Sequence, residues 1–326
     1  MSPQRPRGSA PPAAAPPPVP DAAVLARDPA LLIPLAARGI DPVAPRDEPE
    51  RAAVRAALEV ASGSRLREEL QDLLLRPNAA QLLQALQDTG VLEGVLPEVN
   101  AVVALTADGA QRHKDVWEHT KQVVAQTPAR PVVRWAALLH DIGKVVTRSF
   151  ESDGTVRFLR HAEVGAALFR GRISRRLEFP ESLGEPVWFL IRNHLRAGQY
   201  QPDWLDSAVR RLYRQLGEHL TDLLDLSRAD VTSRRPGRRN EALRLIDELA
   251  RRVGELREAD EVPPNLPPGL GNDIMQRFGL QPGPDIGRLR RILEQAISDG
   301  ELPAHQSAET YLRHLEQRAH PLRSGG

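Results

Sequence analysis

One short stretch restricts the folds open to this chain more than any other. The apolar run from Trp135 to Leu139 is followed directly by His140 and Asp141. The run predicts a buried helix, so the imidazole and the carboxylate at its end should be buried with it. Burying an uncompensated carboxylate costs roughly several kcal/mol, unless the group is paired, hydrogen-bonded or bound to a metal ion. We therefore expect the fold to bring further polar side chains to this point.

Candidate partners for this pair occur in four other predicted helices. The first of these, over residues 115–127, has Asp115 as its N-cap and Glu118 as the capping-box partner. Taken singly, a histidine on an apolar face is more often a hydrogen-bonded core residue, and an aspartate can cap a helix or pair with a neighbouring arginine. Taken together, in this chain order, the partner residues favour a metal site: His119 upstream, then His161, His194 and Asp230 downstream.

The order His, His-Asp, His, His, Asp resembles the metal site of the HD phosphohydrolase superfamily, and the context His140-Asp141-Ile-Gly-Lys144 strengthens the resemblance. It implies one divalent ion held by His119, His140, Asp141 and Asp230. Two roles stay open for the remaining pair of histidines, a second metal position or contact with a substrate phosphate; these are His161 and His194.

The metal itself is less well specified than its ligands. The chain has no cysteine, so imidazole and carboxylate groups are the ligands available. They suit Mn²⁺, Fe²⁺, Co²⁺, Ni²⁺, Zn²⁺ or Mg²⁺. A bound divalent ion lowers the pKa of its water towards about 7 and polarises phosphoryl oxygens, so we expect phosphoester hydrolysis.

The sequence predicts an all-α protein, a helical bundle with flanking helical segments. Strand-like alternation is nearly absent, and a short hairpin over residues 149–158 is the only β structure expected. No stretch approaches the roughly 18 apolar residues that span a bilayer, and prolines interrupt the N-terminus, so we expect a cytoplasmic protein without membrane contact. The predicted helices cover residues 50–61, 64–75, 79–89, 115–127, 131–144, 161–170, 184–195, 204–216, 218–232, 240–256, 271–278, 285–299 and 306–318.

The sequence around the site resembles bacterial CCA-adding tRNA nucleotidyltransferases. Residues 64–99 are similar to their neck, His113–Thr120 to the start of their HD domain, and residues 270–301 to their tail. HD domains of such enzymes can hydrolyse 2′,3′-cyclic phosphates and nucleotide or other small phosphomonoesters. The resemblance therefore implies a nucleotide or RNA phosphoester as substrate, with tRNA as a possible partner.

The catalytic head of those polymerases is not recognisable in this sequence. It requires an Asp-x-Asp pair, which the sequence lacks, and residues 1–48 are too short and too rich in proline to form it. We therefore expect no nucleotide addition by this chain itself. Glu48 and Arg51 keep the spacing of the neck motif that templates the incoming base, and they are either a relic or a simple helix start.

Four regions are expected along the chain. The first holds eight prolines among its first twenty residues and is predicted to be disordered, although an apolar patch at Leu31–Leu35 could dock on the body. The regions are a disordered segment at 1–48, a neck-like region at 49–110, the HD phosphohydrolase domain at 111–256 and a helical tail at 257–320.

Three basic residues are candidates for contact with the substrate. Lys144 lies one predicted helical turn beyond His140, where it could reach a phosphate oxygen and act in catalysis beside His140 and Asp141. Its alternative is a solvated lysine at a helix C-terminus. Arg234 and Arg235 follow Asp230 in a basic run that either contacts phosphates or is a solvated face.

Two functions of different kinds stay open at this point. The first is a metal-dependent phosphohydrolase, a phosphomonoesterase or 2′,3′-cyclic phosphodiesterase, acting on nucleotides or RNA ends. The second is a non-catalytic RNA- or tRNA-binding module that works with a separate nucleotidyltransferase. A complete ligand set favours the first, because a binding module has no need for so many desolvated ligands.

Overall fold

A computed structural model describes the chain over residues 22–38, 48–107, 115–153, 155–233, 235–261 and 265–323. The predicted all-α class is confirmed: helices account for almost all of the regular structure in these ranges. The chain divides into two compact units, Met1–Arg251 and Arg252–Gly326, which are described separately.

The helices of the first unit follow one another closely. The N-terminal group is α1 (Ala22–Arg27), α2 (Leu32–Ala37), α3 (Glu48–Glu59), α4 (Gly63–Leu74), α5 (Ala79–Asp88), α6 (Val91–Val95) and α7 (Pro97–Ala107). The remaining helices are α8 (Val116–Gln126), α9 (Pro131–Leu139), α10 (Lys144–Thr147), α11 (His161–Leu168), α12 (Ser174–Arg176), α13 (Glu181–Asn193), α14 (Asp206–Leu216), α15 (Leu220–Asp230) and α16 (Pro236–Glu261), whose last turns belong to the second unit.

The expected disorder of residues 1–48 is wrong for residues 22–38. Here α1, a short 3₁₀ turn over Pro29–Leu31 and α2 are formed, and α2 packs against α4 and α5. Ile33 is fully buried, and Asp28 accepts a hydrogen bond from the backbone N–H of Ala30 at 3.2 Å. Burial of the apolar patch therefore stabilises this segment in spite of the proline-rich composition of the N-terminal region. The part of that region that is richest in proline, residues 1–21, lies outside the described residues.

The neck-like region contains two helices that the sequence pattern did not predict, α6 and α7. Gly90, with φ of 75°, ends α5 and turns the chain into α6. Gly94 lets α6 approach α3, since a Cβ there would lie 2.7 Å from the Leu58 side chain. Glu48 opens α3 and pairs with Arg55 at 2.6 Å, as expected of a simple helix start.

The centre of the first unit is α9, which packs against α8, α13 and α15. Trp135 on α9 is fully buried and meets Phe179 edge to face at 5.0 Å. This helix ends at Leu139, so the predicted continuation to residue 144 is wrong. Residues 140–143 instead form a turn that packs against the first turn of α11.

The predicted hairpin is present beside this turn. Strands β1 (Arg148–Phe150) and β2 (Val156–Phe158) pair antiparallel, with Ser149 opposite Arg157. Asp153 accepts a hydrogen bond from the backbone N–H of Thr155 at 2.8 Å, while Gly154 of the predicted turn lies outside the described residues. No other strand occurs in the ranges that the structure covers.

The second unit has a small core of its own. Its helices pack around buried Ile274, Leu293 and Tyr311. The Tyr311 hydroxyl donates to the backbone carbonyl of Asn265 at 2.8 Å, which ties the last helix to the start of the unit. After the end of α16, the helices are α17 (Leu270–Phe278), α18 (Pro284–Ser298) and α19 (Ala308–Arg323). None of the helices described in either unit is long and apolar enough to cross a membrane.

The docked N-terminal segment should contribute to stability. We expect Ile33→Ala to lower the free energy of unfolding by about 2–5 kcal/mol, because it leaves a cavity in a fully buried position. Val60→Ala, at a position 83% exposed, should change it by less than about 0.5 kcal/mol. Urea denaturation measures both, and equal effects would contradict the docking.

Candidate metal centre

The structure brings all six predicted ligands together at one place in the bundle. They come from five different helices or from the turns that directly follow them. His140 and Asp141 occupy the turn that follows α9 and are almost completely buried. The other four stand within α8, at the start of α11, just after α13 and at the end of α15; they are His119, His161, His194 and Asp230.

Three of the imidazoles are oriented by backbone carbonyls. In each case Nδ1–H donates to a carbonyl three residues earlier, which leaves Nε2 as an unprotonated nitrogen facing the centre when the ring is neutral. The donors and acceptors are His140 with Ala137 at 2.9 Å, His161 with Phe158 at 2.8 Å, and His194 with Ile191 at 2.8 Å.

The fourth imidazole is oriented by a side chain. His119 Nδ1 lies 2.8 Å from the hydroxyl of Thr232, two residues beyond Asp230, and both groups are buried. The sequence pattern did not predict a role for Thr232. The available signal was its position, a small hydroxyl residue directly after a predicted ligand.

The six residues form two adjoining groups that could each hold a metal ion. In the first, His119 Nε2 lies 3.0 Å from Asp230 Oδ1 and 3.2 Å from His140 Nε2. The ligand atoms of the three residues all lie within 4.8 Å of one another. This group contains three of the four residues expected to hold one ion.

The second group consists of Asp141, His161 and His194. Asp141 Oδ1 lies 3.5 Å from His161 Nε2, which in turn lies 3.3 Å from His194 Nε2. The other oxygen, Asp141 Oδ2, lies 3.2 Å from His140 Nε2 in the first group. The carboxylate of Asp141 therefore faces both groups, one oxygen to each.

The nitrogen-to-nitrogen distances fit a bound cation. His140 Nδ1 already donates to a carbonyl, so in a neutral ring its Nε2 has only a lone pair to offer His119 at 3.2 Å. If His119 likewise donates from Nδ1, two lone pairs face each other without a proton between them. A divalent cation between these atoms and the carboxylates would satisfy all of them, and the donor set of imidazoles and carboxylates suits one.

The protonation states also suit metal ligation. Burial lowers the pKa of His194 to about 4 and lowers that of His119 as well. Burial alone would raise the pKa of Asp141, but His140 beside it brings it well below the usual range, and His119 does the same for Asp230. For His140 the attraction of Asp141 outweighs burial and raises the pKa. Four of the six ligands are thus held in the neutral imidazole or ionised carboxylate form that binds metals.

The basic candidates are placed less uniformly. Lys144 begins α10 after the turn and is not on the same helix as His140, yet its Nζ lies 2.6 Å from Asp141 Oδ2. The same ammonium lies 5.6 Å from the centre of the Phe158 ring. Arg235 is exposed, with its backbone N–H bonded to Ser233, and Arg234 lies outside the described residues.

Gly143 allows the two groups to approach each other. A Cβ at this position would lie 2.0 Å from the carbonyl oxygen of His161, so only glycine permits the turn after α9 to lie against the start of α11. Asp141 is in that turn and His161 begins that helix. The close approach therefore brings together the carboxylate and the first imidazole of the second group.

Comparison with known families identifies two parts of the chain. Residues 105–235, which contain all six ligands, match the HD domain model. This segment is an HD domain. Residues 52–102 match a model described as the probable RNA and SrmB-binding site of polymerase A. An HD domain preceded by such a neck is the organisation that the sequence predicted.

Three curated relatives are similar to this chain over part of its length. The chain is 35% identical over 255 residues to the CC-adding tRNA nucleotidyltransferase of Thermus thermophilus, covering 76% of this chain and 56% of the relative. It is 34% identical over 257 residues to the A-adding tRNA nucleotidyltransferase of Deinococcus radiodurans, covering 76% and 57%. A multifunctional CCA protein of Pseudomonas paraeruginosa is 30% identical over 207 residues, covering 62% of this chain and 46% of the relative. The chain thus spans about half the length of the curated relatives it matches.

The hydrogen bond from Thr232 gives a test of ligand orientation. We expect Thr232→Val to weaken divalent metal binding by about 10–100-fold, because His119 loses the partner of its Nδ1. Thr127→Val is the matched control, since the buried Thr127 hydroxyl, directly after α8, donates to the backbone carbonyl of Val124 and not to a predicted ligand. Chelator competition measures the affinity, and equal affinity in both variants would contradict the role of Thr232.

The close approach at Gly143 gives a second test. Gly143→Ala should lower the free energy of unfolding by about 1–3 kcal/mol, because the methyl group overlaps the His161 carbonyl. Gly254→Ala, in a helix where a Cβ meets nothing within 4 Å, should be neutral or stabilising by about 1 kcal/mol. Thermal and urea unfolding compare the two, and a tolerated Gly143→Ala would contradict the packing.

Proposed function

We propose that this protein is a metal-dependent phosphohydrolase. The observation that carries the proposal is the convergence of four imidazoles and two carboxylates, with Asp141 facing both groups. Keeping so many polar groups desolvated costs free energy, which metal binding would offset. A protein that only bound RNA would gain nothing from this arrangement.

The two groups divide the ligands of the proposed centre. His119, His140 and Asp230 with one oxygen of Asp141 would hold one ion, and His161 and His194 with the other oxygen would hold a second. Divalent ions bound there would supply Lewis acidity towards a phosphoryl oxygen and a hydroxide at neutral pH. Mn²⁺, Fe²⁺, Co²⁺, Ni²⁺, Zn²⁺ and Mg²⁺ are all compatible with these ligand types.

The basic side chains would bind and orient the phosphate. Lys144 is partly exposed and pairs with Asp141 Oδ2, so it stands at the edge of the centre. When that oxygen is engaged by a metal, the ammonium group is free to contact a phosphate oxygen and to neutralise its charge. We propose Arg234 and Arg235 as further phosphate contacts, because they follow Asp230 closely in the chain.

Nucleotides or RNA ends are the substrates we propose. The match of residues 52–102 to a probable RNA-binding site supports RNA as a partner, and the names of the relatives support tRNA in particular. The same match favours a second candidate, a tRNA-binding module that assists a separate nucleotidyltransferase. The two candidates differ in whether the metal centre is needed for the function.

Metal content measured together with turnover tests the proposal. Plasma mass spectrometry should find a divalent metal in the wild type and almost none in His140→Ala/Asp141→Ala. Hydrolysis of 2′,3′-cyclic AMP and p-nitrophenyl phosphate, assayed with Mn²⁺, Ni²⁺ or Mg²⁺, should fall by at least about a thousandfold in the same variant. His219→Ala, at a histidine outside both groups, should retain metal and activity.

A wild type that binds no metal and hydrolyses neither substrate in any condition would overturn the phosphohydrolase. Retained affinity for tRNA in both the wild type and the double variant would then favour the binding module.

A further inference from the structure

We propose that a cavity beside the metal centre receives a single nucleoside, the organic group esterified to the phosphate. The inference rests on the proposed phosphohydrolase function and adds what the substrate carries and which residues select it. The cavity has a volume of about 390 Å³. Its size lies near the lower end of the range for small-molecule sites.

The position of the cavity links it to both groups of ligands. His194 of the second group and Asp230 of the first both line it. The ester group of a phosphate held between the two groups of ligands would therefore be directed into this cavity. The cavity continues the site that the six ligands define and does not form a separate one.

The walls of the cavity are mainly apolar. They come from the short 3₁₀ turn Ala197–Gln199, from the end of α15 and from the first turns of α16. Val231, Ala242, Leu245 and Ile246 supply aliphatic surface. Burying a small polar group such as glycerol against this surface gains little, whereas a planar base gains hydrophobic and dispersion energy on both faces.

Polar groups stand at the edge of these walls. Gln199 lines the cavity and is exposed, so its amide can pair with the polar edge of a base. Arg238 lies one turn before Ala242 on α16 and is exposed, which places a positive charge close to the opening. Apolar faces with a polar edge and an adjacent negative charge describe a nucleotide, and the volume suits one unstacked base better than a duplex.

Two small residues keep the cavity open. Gly198 and Ala242 both line the cavity, and a Cβ at Gly198 would meet no atom within 4 Å. A larger side chain at either position would take up volume in the cavity, and neither position is one of the six predicted ligands. These positions therefore determine whether a nucleoside can enter.

The test uses full-length protein with Mn²⁺ and two phosphomonoesters, adenosine 3′-phosphate and glycerol 2-phosphate. Ala242→Trp and Gly198→Leu fill the cavity, and Asn240→Trp places the same bulk on α16 outside it. We expect both filling variants to lose at least about tenfold in kcat/KM for the nucleotide, and less than about twofold for glycerol 2-phosphate. The Asn240 variant should match the wild type.

Adenosine binding, measured by calorimetry, separates this inference from the proposed function. A wild type that hydrolyses the nucleotide, with variants that change both substrates equally or neither, would overturn the nucleoside pocket and leave the hydrolase standing. If the wild type hydrolyses neither substrate, adenosine binding that is lost in both filling variants would support the pocket, and no binding to the wild type would overturn it. Should Ala242→Trp fail to fold, Gly198→Leu decides alone, because its side chain enters open space.

Discussion

The desolvation of Asp141 is the constraint on which the rest of this structure depends. Its carboxylate is 2% exposed, in the interior of a helical bundle, where an unpaired charge would be very unfavourable. Some of the groups that compensate it are close in the chain, His140 beside it and Lys144 after the turn, and others come from separate helices, His161 from α11 and His119 from α8. The bundle is therefore organised so that several helix ends meet at one carboxylate.

Hydrogen bonds at the helix termini explain how the ligands are oriented where these helices meet. His140, His161 and His194 each bond through Nδ1 to a carbonyl three residues earlier, so the chain that precedes each ligand also orients it. These hydrogen bonds fix the tautomer of each ring and direct Nε2 to the centre before any metal arrives. Preorganisation of this kind lowers the entropy cost of ordering the ligands when a metal binds, because the hydrogen bonds that orient them are already formed in the folded protein.

The six candidate ligands could be predicted from the sequence because the order His, His-Asp, His, His, Asp and the apolar run before His140 are both visible in it. The sequence also indicated the all-α class and the hairpin, since helical periodicity and an Asp-Gly turn are local signals. Other features depend on tertiary contacts. The end of α9 at Leu139 follows from packing of the next turn on α11, and Gly143 acquires its importance only from the carbonyl of His161. The folded segment at residues 22–38 likewise depends on the contacts of α2 with α4 and α5.

The central claim is that two adjoining metal positions share Asp141, and electron paramagnetic resonance during Mn²⁺ titration tests it most directly. We expect two bound Mn²⁺ per chain with the spectrum of an exchange-coupled pair, because one carboxylate faces both groups. Asp141→Asn should remove the coupling, whereas His219→Ala should keep it. A single uncoupled six-line signal, or no bound Mn²⁺ at all, would contradict the shared centre.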